Sequence, residues 1–514
     1  MTMQKIMLKT IYGEAMKAPS KHAKRLLQVA PLMLLGACAV GPDYVKPSAE
    51  TPAAFKEQAN WKVAQPADTE IHAKWWEIYN DPVLNDLEEQ ISVSNQSLKQ
   101  AEAQYREARA LVQSARAGYF PTVSANVSNS RAGGLSSTNR GASAATTTST
   151  SAAGAAGSGG PSNTDLLELQ ASWEPDLWGK VRRTVEANTA SAQASAAELQ
   201  AMRLSLQSQL AQDYFQLRDQ DADRQLYDRT VIDYRKSLEL TQNQYKSGIV
   251  PKENVVLADT QLKQTEAQAI DFDVARAQME HAIAVLVGKP ASTFSLAPVT
   301  NFIDTKVPTM PIGVPSAMLE RRPDVANAER QMAAANAQIG VAKAAYFPDL
   351  TLAATGGYES NSLAHWITAP NRLWSLGPSL AETLFDGGLR DANSKKAVAA
   401  YDASVANYRQ VVLGSFQNVE DSIATLRILE EESKKQEEAV KLSRRSVELE
   451  INQYKAGIIA YLYVITVETT ALSNERTLVD LLNRRMIASA QLIAALGGGW
   501  NQAQLPDANA VSKD

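Results

Sequence analysis

Glu239-Leu240-Thr241-Gln242-Asn243-Gln244-Tyr245-Lys246-Ser247-Gly248-Ile249 is written a second time in this chain, as Glu448-Leu449-Glu450-Ile451-Asn452-Gln453-Tyr454-Lys455-Ala456-Gly457-Ile458. In both copies a glycine follows a long run of helix formers, where a helix C-terminus favours a residue that tolerates positive φ. Upstream of the first copy, residues 180–247 contain neither Gly nor Pro over 68 positions. At 1.5 Å per residue this predicts a helix of about 100 Å. Pro251 closes the turn, and residues 252–287 are again free of Gly and Pro, predicting a returning helix. In the second copy a long helix fits 389–456, with Gly414 inside it, and the return runs to about Leu496.

The duplication reaches further upstream. Ala115-Arg116-Ala117-Gly118-Tyr119-Phe120-Pro121-Thr122 returns as Ala342-Lys343-Ala344-Ala345-Tyr346-Phe347-Pro348-Asp349. Residues 83–117 predict a helix, ended by Pro121, because the residue before a proline is pushed out of the α region. Val123, Ala125 and Val127 then alternate with Thr122, Ser124, Asn126 and Ser128, and Leu167, Leu169, Ala171 and Trp173 form a second alternating run. This period of two predicts strands. Residues 131–163 between them are Gly, Ala, Ser and Thr, a composition that builds no core and predicts a long loop. The second copy places its strands near Leu350–Tyr358 and Trp374–Leu380. Each unit therefore reads helix, strand, strand, long helix, helix, and the chain is two tandem structural repeats, mainly α with a transmembrane β portion.

Two units supply four strands, and four amphipathic strands cannot close in lipid, where open edges are forbidden. Three copies would supply twelve, an even number suited to an outer-membrane barrel. The rods would then continue it as a long α-helical barrel. Alanine runs (Ala187, Ala190, Ala192, Ala194, Ala196, Ala197, Ala201; Ala397, Ala399, Ala400, Ala403, Ala406) would let rods approach closely. Tyr119, Phe120, Tyr346 and Phe347 stand where helix meets strand; an interfacial aromatic girdle and packing at a bend both suit them.

The lone cysteine, Cys38, follows a basic stretch (Lys5 to Arg25) and a short apolar run ending Leu35-Gly36-Ala37. This is the layout of a secretory signal, and the last four residues resemble a bacterial lipobox, so Cys38 is expected to carry covalent lipid. Beyond it no apolar run is long enough for a membrane-spanning helix. The formal charge of −5 falls to −10 once residues 1–37 are removed, which argues against nucleic acid as a partner. The four histidines, His22, His72, His281 and His365, are scattered, no metal-ligand or nucleophile motif occurs, and no cofactor is expected. The chain reads as a non-enzyme. Charged residues on the rods, such as Glu430 to Glu438, read as a solvated face.

Taken together, the ordered motifs resemble a TolC-like outer membrane factor, the lipoprotein type of tripartite (RND) efflux systems. Trp75-Trp76 with Asp81-Pro82-Val83-Leu84 opens the first unit. Arg321-Arg322-Pro323-Asp324-Val325-Ala326, Glu329-Arg330 and Ala333-Ala334 open the second, and Ile339 to Pro348 follow. Leu496-Gly497-Gly498-Gly499-Trp500 ends it, and Gly41-Pro42-Asp43-Tyr44 follows Cys38. The resemblance spans about residues 38–500. It implies a homotrimer in the outer membrane with a 12-stranded barrel and a periplasmic extension. It also implies a periplasmic adaptor (membrane fusion) protein and an inner-membrane RND-type pump as partners. Seen this way, 1–37 is a lipoprotein signal peptide, 38–80 a lipidated extended segment and 81–288 the first repeat. Residues 289–315 are a linker and equatorial segment, 316–500 the second repeat, and 501–514 a C-terminal tail.

The same resemblance assigns adaptor contact to the hairpin tips: Tyr245, Lys246, Gly248, Ile249, Val250, Tyr454, Lys455 and Gly457. A plain hairpin turn accounts for Gly248 and Gly457 by itself. Where some members carry an inward aspartate ring, this chain has Tyr463 and Thr466, so hydroxyl and ring contacts are the expected closure in place of an acidic gate. The expected function is a passive exit duct for drugs or other toxic small molecules. The alternatives are a duct for polypeptide (type I) secretion and a structural coiled-coil envelope lipoprotein.

Overall fold

A computed structural model describes residues 39–48, 51–52, 54–58, 74–132, 162–299, 302, 305–308 and 320–512. The signal peptide, Cys38, most of the long loop and part of the 289–315 linker lie outside the described residues. The long elements repeat with equal lengths. Helices α3 (Lys180–Lys246) and α6 (Leu389–Lys455) have 67 residues each, and α4 (Lys252–Leu286) and α7 (Tyr461–Ala495) have 35 each.

The continuous helix expected over 83–117 is instead two helices, α1 (Pro82–Ser94) and α2 (Gln96–Ala117). Asn95 breaks them with extended backbone. Its side chain accepts from Leu98 N (2.9 Å) and donates to Leu286 O (2.7 Å), capping α2 and one end of α4 together. Helix α5 (Pro323–Ala344) opens the second repeat, and a short helix α8 (Ala508–Ser512) lies in the tail.

Strands β1 (Thr122–Ala132), β2 (Ser162–Trp173), β3 (Asp349–Ser360) and β4 (Arg372–Ala381) form one antiparallel sheet in that order. The register sorts the alternating residues onto two faces. Val123, Ala125 and Val127 pair with Ala171, Leu169 and Leu167, and the row continues through Ala354, Gly356 and Tyr358. Leu376 and Trp374 then pair with Ala354 and Gly356. This apolar face is open: Val123, Leu169, Trp374 and Leu376 are all more than half exposed. The opposite face carries Ser124, Asn126, Glu168, Gln170, Thr355 and Ser375, with Thr355 and Ser375 hydroxyls 2.7 Å apart. A sheet greasy outside and wet inside suits a lipid-embedded channel wall. Among the described residues, the outer edges of β1 and β4 have no partner strand. No described helix is long and apolar enough to cross a membrane.

The chain divides into two compact units. The first gathers the residues up to Tyr44, Gln113–Ala187 and Asn336–Ala399; the second gathers Val45–Val112, Asn188–Ala335 and Ala400–Asp514. The sheet belongs to the first and most of the helical rods to the second. Within the helical unit, Ala190, Ala192, Ala194, Ala196 and Ala197 are buried, as close rod packing requires. The second alanine run behaves differently, because Ala400, Ala403 and Ala406 are exposed in the single chain. Asp221 is buried in this unit and accepts from Arg218 Nη1 (2.8 Å), Arg276 Nε (2.7 Å) and Val299 N (3.2 Å). The chain leaving α4 is thereby tied back onto α3. Glu430 and Lys434 form an exposed pair at 2.8 Å, a solvated face as expected.

Candidate functional site

Both helical hairpins turn through the same hydrogen-bonded cap. Ile249 N donates to Gln244 O (2.9 Å) and Gly248 N to Tyr245 O (2.9 Å); Ile458 N donates to Gln453 O (3.0 Å) and Gly457 N to Tyr454 O (2.9 Å). Gly248 and Gly457 each have φ 73°, the left-handed conformation that this cap needs and that a side chain would strain. The two tips sit side by side. Leu238 and Leu240 of α3, Ala258 of α4, Tyr454 of α6 and Tyr461 and Val464 of α7 share one apolar cluster.

The repeated tyrosines have parted roles. Tyr245 is 45% exposed, whereas Tyr454 is 3% exposed. The Tyr454 ring lies 5.1 Å from Tyr461, and its hydroxyl reaches Thr241 Oγ1 at 3.4 Å. Tyr454 is thus corrected from a docking residue to a core residue of the tip. Tyr245, Lys246, Gly248, Ile249, Lys455 and Gly457 are exposed, and Val250 is half-buried. At the start of α7, Leu462 and Tyr463 present exposed side chains. Thr466 is exposed too, but its hydroxyl donates to Leu462 O (2.9 Å), so it spends its proton inside its own helix. Exposed apolar residues gathered at a tip mark a surface meant for a partner or another copy.

Just behind Tyr463 lies a carboxyl that the sequence did not flag. Glu468 is 7% exposed, accepts from Ser237 Oγ of α3 (3.3 Å), and has no protein partner for Oε2. Burial raises its pKa to about 7; the Ser237 hydrogen bond opposes the shift and Asp233 adds to it. Glu468 lines a groove of about 630 Å³ between α3 and α6, walled by Leu226, Leu240, Val447, Ile451 and Leu472. Farther along α3, buried Asp219 and Asp223 face Arg476 of α7, whose Nε is 3.3 Å from Asp223 Oδ2. Burial lifts these two carboxyls to about 7 and about 6. No signal in a helical repeat separates such carboxylates from surface ones, since period alone does not tell which face a neighbour covers.

At the strand–helix junction, Phe120 is 69% exposed, as a girdle residue would be. Phe347 and Tyr346 are exposed too, and each also packs locally: Phe347 stacks on Trp178 (4.8 Å), and Tyr346 lies under the Arg390 guanidinium (5.6 Å). Among the described residues no cluster of His, Cys, Asp and Glu is placed to hold a metal ion.

The sequence model of the outer membrane efflux protein family matches residues 87–289 and 314–498. The chain is 27% identical over 478 residues to the cation efflux system protein CusC of Escherichia coli O6:H1, covering 93% of this chain and 99% of that one. It is equally 27% identical over 482 residues to the probable efflux pump outer membrane protein TtgC of Pseudomonas putida, covering 93% and 96%. Among solved structures, the outer-membrane channel OprN superposes with a TM-score of 0.81 at 28% identity, covering 90% of this chain and all of that one.

Proposed function

The chain belongs to the outer membrane efflux protein family and is the outer membrane exit duct of a tripartite efflux pump, and on that premise we propose how it is assembled, coupled and closed. Three copies join the open edges of β1 and β4 into a twelve-stranded barrel, which relieves the unpaired backbone that lipid cannot tolerate. The exposed alanines of α6 meet neighbouring rods in the same assembly. The duct is passive: its chain supplies a wetted wall and a closure, and an inner-membrane pump reached through a periplasmic adaptor supplies the drive. Cys38 carries the lipid anchor.

The observation that carries the docking assignment is the pair of tips, where Tyr245, Ile249, Ile458, Leu462 and Tyr463 stay exposed while Tyr454, Tyr461 and Val464 are buried in the tip cluster. The groove beside Glu468, apolar inside and charged at its rim, suits an adaptor helix. For cargo we favour drug-like or other toxic small molecules. A strain lacking the gene should become sensitive to such compounds, and complementation should restore resistance. Unaltered sensitivity to drugs, solvents and metal ions alike would count against this cargo.

Closure is assigned to Tyr463, with Thr466 behind it. Purified trimers in a planar bilayer should show small, discrete conductance, and Tyr463→Ala should raise it several-fold. A variant that stays as closed as the native channel would remove Tyr463 from the iris.

A further inference from the structure

The apolar face of the sheet changes chemistry along its length. Val123, Leu169, Leu376 and Trp374 share that face, and the same parity continues to Asn129, Arg131, Asn163, Ser360 and Arg372. These polar residues lie at the end of the sheet away from the rods, since α2 leads into β1 at Thr122 and β4 runs from Arg372 back towards α6. Arg131 lies four residues beyond Val127, about 13 Å along the strand. Arg372 pairs with Tyr358 and stands two residues before Trp374. Tyr and Trp favour the membrane–water boundary. An arginine on a lipid-facing wall is costly at mid-bilayer and tolerated near the interface. Both observations put the two arginines at headgroup depth in the outer leaflet.

Both side chains are exposed, and neither has a hydrogen bond or ion pair among the described residues. Asp165 is on the same face at that end, but it is buried and accepts from Asn129 Nδ2. Arg372 also lines an open hollow of about 460 Å³ at the rim, with Asn163, Ser360, Asn361 and Asn371. Asn163 is the direct pairing partner of Arg131. Glu359 lines the hollow too, but it pairs with Leu166 and belongs to the opposite face, with Glu168.

The arginines stand on β1 and β4, the two outer edges of the sheet. These strands run in opposite directions. Joining β4 of one copy to β1 of the next therefore brings Arg372 and the neighbouring copy's Arg131 to the same end and the same face of one seam.

We propose that each seam of the trimer binds one phosphorylated lipid of the outer leaflet. Arg372 of one copy and Arg131 of the next grip its phosphate, and its acyl chains lie along the apolar face below. A guanidinium fork matches phosphate oxygens two at a time, and the amides of the hollow add neutral donors. The site rests on the barrel reading above, because a single chain holds only half of it.

Native mass spectrometry of detergent-purified trimers, incubated with bisphosphorylated lipid A, is the test. Native trimers should retain up to three lipids. Arg131→Gln or Arg372→Gln should cut retention about fivefold or more. Both side chains are exposed, so trimers should persist, and the same spectra count them. Dephosphorylated lipid A should bind native trimers no better than it binds the double variant. Excess inorganic phosphate should not displace the lipid, since it lacks the chains. Equal retention by native and double-variant trimers, equal binding of the two lipid forms, or displacement by inorganic phosphate would each overturn the proposal. Native protein that forms no trimers would defeat the barrel reading itself, whereas trimers indifferent to lipid phosphate would defeat only this site.

Discussion

Gly357→Ala is expected to abolish trimers and conductance, while Gly356→Ala, one residue away, leaves both within about a factor of two. The contrast follows from the faces of β3. A Cβ on Gly357 would overlap Leu167 O and lie 2.8 Å from Glu168 Cα, both backbone atoms of the paired strand β2. No rotamer change relieves a clash with backbone, so the strands must part or shift. Overpacking of this kind typically costs ~1–3 kcal/mol, and more when the neighbour cannot yield. The β2–β3 pairing is also the one that joins the hairpins of the two repeats. Losing it leaves two isolated hairpins, which are marginal structures with edges that lipid rejects. Three copies would suffer it at once. Gly356 faces the other way, pairs with Leu169 and Trp374 on the apolar face, and has open space at its Cβ position. Its extra methyl meets lipid. Heat-resistant trimer on a gel, followed by bilayer recording, checks both variants. Native levels of trimer from Gly357→Ala would show that the sheet is not held by this close approach.

Gly357 also shows what sequence reading can and cannot see. Strand periodicity placed β3 near Leu350–Tyr358. Nothing in Gly356-Gly357 says which of the two is pressed against a neighbour, because that depends on register with β2. The long helices were legible for a plain reason. Gly and Pro are the punctuation of helices, and their absence from 180–246 and 389–455, apart from Gly414, is enough. The break at Asn95 was hidden because it uses neither residue. It depends on carbonyls at the end of α4, which are distant in sequence. The tips were found by repetition, and repetition also misled. Tyr245 and Tyr454 occupy the same place in their repeats, but only Tyr454 has Tyr461 and Ala258 packed over it. Internal symmetry predicts equal backbones, not equal neighbours.

Glu468→Gln should stabilise the protein at alkaline pH and leave it unchanged in acid. The carboxyl has a folded-state pKa of about 7, above the ordinary glutamate value of 4.5. The folded chain therefore keeps a proton that the unfolded chain gives up. Stability from this group is complete below about pH 4 and falls as pH rises through 7, by about 3 kcal/mol in all. Glutamine keeps the shape and cannot ionise, so the loss should vanish. Melting followed by helix dichroism should show wild type and variant coinciding near pH 4. By pH 8 the variant should lead by about 4 °C, given a helical unit of this size. Asp219 and Asp223 also carry raised pKa values and remain in both proteins, so only the difference between the two curves belongs to Glu468. The groups that face Glu468 set the sign. Ser237 donates to it, Asp233 opposes its charge, and Tyr234 and Tyr461 lie close by. Of the cations lining the groove, Arg444 pairs with Glu475 and Lys236 with Asp233, while Arg229 and Lys455 line it without acting on the Glu468 carboxyl. Ionisation thus leaves an under-compensated charge in the α3–α7 contact. Tyr463 stands on α7 five residues before Glu468, so loosening this contact should free the segment to which closure is assigned above. Bilayer recordings should then show native trimers opening more often at pH 8 than at pH 6, with Glu468→Gln largely insensitive to the change. If the variant keeps the native pH profile, the buried carboxyl has no part in closure, and the pH response falls to Asp219 and Asp223 of α3 beside Arg476 of α7.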